Sequence, residues 1–571
     1  MKSSSTIRAA LAAAAAAWSW PARAQSDAGI PRLETRGQAT QLVVDGRPYL
    51  VLGGELANTA TSSPDYMRPV WPRLARMNLN TVLAGVSWAL LEPTEGQYDF
   101  SLVDEALQSA RANNLRLVLI WFASWKNGIS SFAPAWVKAD QARFPRVQVQ
   151  GGRSIEVLST LADASRDADA RAFAALMRHV RETDGARHTV LMVQLENEVG
   201  ILGDSRDRSP AAEAAFAGAV PAGLTNYLAA HAGRLRPQLA ERWRAAGARA
   251  SGTWAEVFGS GPATDEIFMA WHYARYMERV AAAGKAEYPL PIFTNTWIVQ
   301  PEDHGPGDYP SGGPEPHVLD VWRAGAPHID LNGPDIYLPD FTGWTARFHQ
   351  NGNPLFVPES RGDAQGVANA FYAIGREAGI GYSPFGIDNP GRLAALRPEG
   401  AQGPAGRIED QPLPRGYALL RELSPLILEA QEKGTITAVS LDPVRQKESL
   451  ALGDYTVNFD LRRNFRNPAQ VPPFGYGLAI ALGANEYLVA GSDIQVTFSP
   501  RSPGPPVAGL SRVEAGDYRD GKWVRGRVLN GDDILLDYHL AAAAAENQSG
   551  SGLKFMAGAP TLQRVWLYRY R

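Results

Sequence analysis

A (β/α)8 barrel followed by a C-terminal all-β domain is the architecture this sequence predicts, and three observations predict it. Eight short apolar runs between Tyr49 and Phe385 alternate with helical segments. One of them, Thr189 to Val193, ends abruptly in Gln194, Glu196, Asn197 and Glu198, polar groups that no core accepts unpaired. Beyond about Leu428 the pattern changes to short strand-like runs separated by Gly, Pro and Asn or Asp turns. A chain of 571 residues is too long for one core, so the expected division is a leader over 1–24, a barrel over 25–428 and a β-domain over 429–571.

Composition narrows the function classes. A formal net charge of −3 gives no electrostatic reason to expect nucleic acid or a membrane surface as partner. Lys2 and Arg8 precede an apolar run from Ala9 to Trp20, and Ala22-Arg23-Ala24 forms a small-x-small cleavage site. The run is too short to span a bilayer, so cleavage after Ala24 and export to a periplasm or the medium are expected. The chain has no cysteine, which excludes disulfides, thiolate metal sites and a lipidated N-terminal Cys, so no membrane anchor is expected. Its 15 Trp are many for this length, and Trp faces stack on sugar rings.

Gln41 to Leu52 reads as a hairpin turning at Asp45-Gly46, with Tyr49 to Leu52 as the first barrel strand, ending in Gly53-Gly54-Glu55. Thr81 to Ala84 is the second strand, closed by Ser87-Trp88 and the loop Glu92 to Phe100. Ser101, with Asp104 three residues on, is expected to cap a helix whose Val103, Ala106, Leu107 and Ala110 fall at helical spacing. Leu115 to Ile120 is the third strand, ending in Trp121 to Asn127. After a long insertion, Gly128 to Asp169, a helix with Phe173, Leu176, Met177 and Val180 on one stripe leads to the fourth strand. The stretch of about 201–285 holds at least two helices, the clearer being Glu266 to Ala283 with Gly284 as its C-terminal cap. Pro291 to Thr296, Ile329 to Ile336, Pro354 to Val357 and Gly379 to Phe385 supply the last four strands, with a helix from Val367 to Ala378 before the eighth. Further on, Thr435 to Leu441, Tyr455 to Leu461, Leu478 to Leu482, Ile494 to Phe498 and Val565 to Tyr568 suit a sandwich or jelly roll, and the alanine run 541–545 is uninformative.

Two carboxylates then stand out. Glu198 lies just past the fourth strand and Glu359 just past the seventh, so both project from the C-terminal face of the barrel, where barrel enzymes keep their chemistry. Paired carboxylates across a cleft are the minimum apparatus for hydrolysing a glycosidic bond, one protonated to serve the leaving oxygen and one ionised. A gap of about 5–5.5 Å retains anomeric configuration and one of roughly 6.5–9.5 Å inverts it.

The strand end Gln194 to Gly200, QLENEVG, resembles the Q-x-E-N-E-x-G signature of glycoside hydrolase family 35, the β-galactosidases. Trp88 to Phe100, WALLEPTEGQYDF, resembles that family's block after the second strand. The resemblance runs from about Gly53 to Glu359 and is greatest to bacterial members with a β-rich C-terminal extension. It implies a β-galactosidase with a retaining mechanism; the expected activity is exo-acting removal of terminal β-galactosides from oligo- or polysaccharide side chains, plant cell-wall xyloglucan among them, with no cofactor or metal expected. Glu198 would be the acid/base, Glu359 the nucleophile, and Asn197 the partner of the sugar 2-hydroxyl. Strand alternation does not separate Glu196 from Glu198, and the family pattern favours Glu198. The chain departs from animal and fungal relatives at Ala89 and Leu91, where they carry Asn and His, and at Ser124, where they place a sugar-binding Glu. Trp125, Lys126 or Asn127 would then take over that contact.

Further candidates for substrate contact are Glu55, the wall of Trp88, Trp121 and Trp125, and Tyr337 beside the nucleophile, with Asn295 and Trp297 weaker. Glu92, before Pro93, reads as a loop-fixing carboxylate. The GDYRDGK stretch at Gly516 to Lys522 has phosphate-loop spacing, but Trp523 follows it in place of Ser or Thr. The nine His are dispersed, with no zinc-hydrolase motif. Two other readings stay open: a retaining β-arabinosidase, glucosidase or mannosidase on the same barrel, and a non-catalytic carbohydrate-binding protein. A homodimer is compatible with the β-domain.

Overall fold

The computed structural model describes residues 29–350, 352–389, 407–462, 471–536 and 550–571. The expected leader and the alanine run 541–545 lie outside the described residues. Eight parallel strands form one sheet: β1 Val51–Leu52, β2 Thr81–Ser87, β3 Arg116–Lys126, β4 Val190–Asn197, β5 Ile292–Trp297, β6 Leu331–Ile336, β7 Val357–Ser360 and β8 Gly381–Pro384. Each pairs with its sequence neighbour, and β1 meets β8 and, through a bridge between Glu55 and Leu83, β2. The sheet therefore comes round on itself as a barrel.

The interior is filled by Val51, Leu83, Val118, Ile120, Leu191, Met192, Phe293, Leu331, Phe356 and Ile380. Leu42 and Val44 join this cluster from a three-stranded antiparallel sheet, Arg32–Arg36, Ala39–Val44 and Arg47–Tyr49, which closes the end where β1 begins. The expected hairpin at Asp45-Gly46 is present, and the third of these strands stops at Tyr49, so the barrel strand proper starts at Val51.

Helices α1 Ser101–Ala112, α2 Asp163–Asp184, α3 Pro262–Glu287 and α4 Ala364–Arg376 are among those that cover the sheet. On α1 the expected stripe of Val103, Ala106, Leu107 and Ala110 is the buried face. Ser101 is the first helical residue and not the cap: Asp99 accepts from its amide at 2.9 Å, while Asp104 faces His179 at 2.7 Å. Gly284 is not a cap either. It lies inside α3, and a Cβ there would sit 2.2 Å from Cε1 of Phe173, so it is the gap into which α2 packs. The region 201–285 carries four shorter helices before α3 (Pro210–Ala217, Ala222–Ala230, Pro237–Ala245 and Trp254–Phe258). None of the helices in the described residues is long and apolar enough to cross a membrane.

A helix the sequence reading omits, α5 Pro412–Lys433, joins the barrel to the C-terminal region. The expected boundary at Leu428 falls inside it. Tyr417 on this helix donates to the backbone oxygens of Gly53 (2.9 Å) and Tyr382 (2.8 Å). Beyond it, β9 Ile436–Leu441, β10 Lys447–Leu452, β11 Tyr455–Leu461, β12 Gly475–Gly483, β13 Glu486–Ser492, β14 Ile494–Pro500, β15 Val507–Arg519, β16 Lys522–Leu529, β17 Leu553–Lys554 and β18 Thr561–Tyr570 form two antiparallel sheets. Their orders are β9-β12-β13-β18-β15-β16 and β10-β11-β14-β17. Val439, Val457, Phe459, Val489, Val496 and Val565 are among the residues of the core between them. The GDYRDGK stretch is the tip of the β15–β16 hairpin.

Candidate active site

The register between β3 and β4 jumps from Trp121 opposite Leu195 to Lys126 opposite Asn197. Four residues of β3 thus face Glu196 alone, and amides in that bulge lose their ladder partners. The Glu196 carboxyl replaces them, accepting from the N–H of Ala123 (3.2 Å), Ser124 (2.9 Å) and Trp125 (2.8 Å). Desolvation, followed by the neighbouring Asp169 charge, holds it well above the usual carboxylate range. Glu196 and Glu198 do not follow the pleat that would have aligned them, because both are left-handed, with φ of 58° and 47°. Glu196 is therefore spent in the wall, and Glu198 alone joins the carboxylate of β7.

Glu198, Asp335 and Glu359 each present one carboxyl oxygen, and the three atoms lie within 4.8 Å of one another. All three residues are buried. Asn127, itself left-handed at φ 51°, donates from Nδ2 to Oε2 of Glu198. The Glu198 amide donates to Oδ1 of Asn295 at 2.9 Å. Burial, then the charge of Glu359, pushes the Glu198 carboxyl up to about 7, against smaller opposing effects of Lys126, Asp335 and Asn127. Tyr337, at the end of β6, donates its hydroxyl to Oε1 of Glu359 at 2.7 Å. Burial and that carboxylate raise the phenol.

Asn197 is fully buried, and Lys126 Nζ donates to its Oδ1 at 2.7 Å. An ammonium can only donate, so the amide orientation is fixed, and its Nδ2 has no acceptor among the described residues. Glu55, 1% exposed, ends β1 at the bridge to Leu83 and Phe385, and its charge acts on Asp335 and Tyr337. Of the residues picked from sequence, then, Glu198, Glu359, Asn197, Asn127, Tyr337 and Glu55 are brought to one mouth.

The expected tryptophan wall is not what Trp88, Trp121 and Trp125 form. All three are sealed in the protein, with indole N–H groups spent on Glu92 Oε2 (2.7 Å), Asp169 Oδ1 (2.8 Å) and the Leu158 carbonyl (3.1 Å) respectively. Trp125 packs edge-on against Tyr273 and Tyr276. Ser124 likewise points inward, to Asp169 at 2.6 Å and Tyr276 at 2.7 Å. Glu92 fixes its loop as expected, accepting from the Gly96 amide at 2.7 Å.

Asp335 is the residue sequence reasoning missed. It sits on β6 opposite Glu359 in the strand register, and its Oδ2 accepts from Asn295 Nδ2 at 2.6 Å. Burial, followed by the charges of Glu359, Glu198 and Glu55, holds its carboxyl well above the usual range. The one available signal was an acid inside an apolar run, LNGPDI, disguised by turn-forming residues. Three oxygens at this spacing also suit a hard cation.

Fold and site together define a class: a (β/α)8 barrel gathering a carboxyl cluster at the ends of its fourth, sixth and seventh strands. Residues 67–267 match a family model described as Beta-galactosidase, that of glycoside hydrolase family 42, and residues 413–541 match a family described as a domain of unknown function, DUF5597. The first match corrects the expected kinship with family 35. Both sequence blocks behind that expectation lie inside 67–267, so they marked the barrel and its acidic strand end but not the family. Among curated proteins, a β-galactosidase of Xanthomonas manihotis is 29% identical over 191 residues, 32% of this chain and 29% of that protein. β-Galactosidase GalA of Bacillus licheniformis is 26% identical over 144 residues, 24% of this chain and 20% of that protein. The chain thus matches under a third of the length of these relatives. Similar solved structures include a β-galactosidase from Rahnella sp. R3 (18% identity, TM-score 0.39, 59% of this chain and 50% of that one). The catalytic domain of a β-amylase from Paenibacillus polymyxa is another (12% identity, TM-score 0.42, 59% and 92%).

Proposed function

We propose that this chain is a retaining, exo-acting β-galactosidase working through Glu198 and Glu359. The observation that carries the reading is the approach of their carboxyl oxygens to within 4.8 Å at the mouth of the barrel. That spacing favours direct attack on the anomeric carbon over a water held between the two groups. The family 42 match and the two β-galactosidase relatives support the sugar.

Glu198, with its carboxyl at about 7, carries a proton below neutrality and gives it to the departing glycosidic oxygen. Glu359, fixed by Tyr337, attacks the anomeric carbon from the other face. Once Glu359 is esterified its charge is gone, and with it the second-largest cause holding the Glu198 proton. Glu198 then turns into the base that activates water. Asn197, held by Lys126 and with no acceptor for its Nδ2 among the described residues, donates to the sugar ring hydroxyl beside the reacting carbon, a contact that tightens as positive charge develops.

Glu359→Gln should lower turnover of an aryl β-galactoside by about 10³-fold or more while the circular dichroism spectrum stays that of the wild type. Most of the activity surviving would refute the assignment. A panel of aryl β-galactosides, arabinosides, glucosides and mannosides decides the sugar, and sugar affinity without hydrolysis would indicate a binding protein. Release of galactose from xyloglucan-type side chains, and recovery of a chain starting at Gln25 from the periplasm, test the proposed substrate and export. Light scattering of the purified chain tests the homodimer.

A further inference from the structure

The site holds a third acid, and its hydrogen bonding limits what it can be. The Glu198 amide can only donate, so it fixes Oδ1 of Asn295 toward itself and turns Nδ2 toward Oδ2 of Asp335. That leaves Asp335 Oδ1, buried and without an N–H or hydroxyl donor among the described residues. One carboxyl oxygen of Asp335 lies within 4.8 Å of one of Glu198 and one of Glu359. Two buried carboxylates this close repel each other unless one of them holds a proton. The groups around this pair are Glu359 and Glu55, both acidic, with Lys126 and the Tyr337 phenol. Four acids around one mouth make full ionisation of the pair costly.

We propose that Asp335 is a positioning residue that works as a neutral carboxylic acid: its O–H, aimed by Asn295, donates to Glu198 and holds that carboxyl in place for proton transfer in both directions. This rests on the reading of Glu198 as the acid/base. In the first half-reaction the donated hydrogen bond fixes the rotamer of Glu198 as its proton leaves for the glycosidic oxygen. In the second it steadies the Glu198 carboxylate that accepts a proton from water. Asp335 keeps its own proton throughout, and no bond to it is made or broken.

A neutral donor can be replaced by an amide, whereas a required charge cannot. Asp335→Asn supplies an N–H to Glu198 and a carbonyl to Asn295, and should keep kcat/KM within about tenfold of the wild type with the alkaline limb of its pH profile in place. Asp335→Leu has similar volume and no donor. It should lower kcat by about 10²-fold and move the alkaline limb upward by about one pH unit, because the Glu198 anion loses its hydrogen bond. Asp335→Ala should behave as Leu does and serves if the Leu variant does not fold. Equal, large losses in the Asn and Leu variants would overturn the proposal in favour of a required charge. Unchanged kcat and pH profile in both would overturn it by showing no role. Profiles are read on whichever aryl glycoside the wild type cleaves, so a wrong sugar leaves this test intact, whereas absence of all turnover in the wild type refutes the proposed function itself.

Discussion

Glu198 carries two opposite consequences of one environment. Its carboxyl, pushed up to about 7, must be protonated to act as acid, so kcat/KM should fall as pH rises through about 7, and a profile on a slow aryl glycoside reads that limb directly. The folded protein binds this proton more tightly than the unfolded chain, so the stability it contributes is present below the ordinary carboxyl range and is lost as pH climbs to about 7. Glu198→Gln cannot titrate. It should therefore be more stable than the wild type at pH 8, by on the order of 2 kcal/mol, with the difference closing toward pH 4.5 in thermal melts. The same variant should lose far more activity on poor leaving groups than on nitrophenyl glycosides, which leave without a proton. Both catalytic candidates were legible because acids that end apolar strands are conspicuous. Asp335 was not, since Asn332-Gly333-Pro334 before it reads as a turn; here Gly333 is simply the space that the ring of Pro358 on β7 needs, at 2.9 Å from where a Cβ would stand.

At the level of elements, the β3 bulge is what makes the mouth. Its amides are held by Glu196, and the two residues that close it, Lys126 and Asn127, are the ones that hold Asn197 and Glu198. Glu196→Ala should destabilise the fold by about 3 kcal/mol, as buried donors lose their acceptor, and in whatever fraction folds should cut kcat more than it changes KM. Urea melts and steady-state rates on the same preparation check both. The packing of α2 on α3 gives a separate test: Gly284→Ala forces a Cβ against Phe173 and should cost about 2 kcal/mol with no effect on the pH profile. Periodicity found the buried stripes of α1 and α2, because a stripe repeats every few residues. It ended β3 at Ile120, five residues before the bulge is complete, and so placed Trp121 and Trp125 on the wrong side of the wall. A bulge changes facing without changing composition, and single-sequence patterning carries no mark of it.

Across the whole molecule, the barrel and one face of the six-stranded C-terminal sheet share an apolar core. Ala438, Tyr476, Leu478, Leu488 and Leu562 of the six-stranded sheet belong to the same cluster as Phe371 and Ile374 on α4. Gly375 on that helix would place a Cβ 2.7 Å from Ala438 and 2.9 Å from Leu478. A chain ending at residue 407 should therefore be recovered insoluble or inactive, and Gly375→Leu should lower the melting temperature by several degrees, as measured by calorimetry. The change of pattern near Leu428 located the β-region, but α5 begins sixteen residues earlier and packs under β1 and β8, a tertiary role that local propensity does not encode.

That shared core also bears on descent. Helix α4 leaves the barrel directly after the strand carrying Glu359, and the C-terminal sheet rests on its far side. Genetic exchange at the apparent seam would strip the helix of its neighbour, so the two regions would be inherited as one cassette. Duplications and fusions that keep the pair intact should be the ones that survive selection, and mutations on the sheet's inner face should be compensated on α4 before anywhere else.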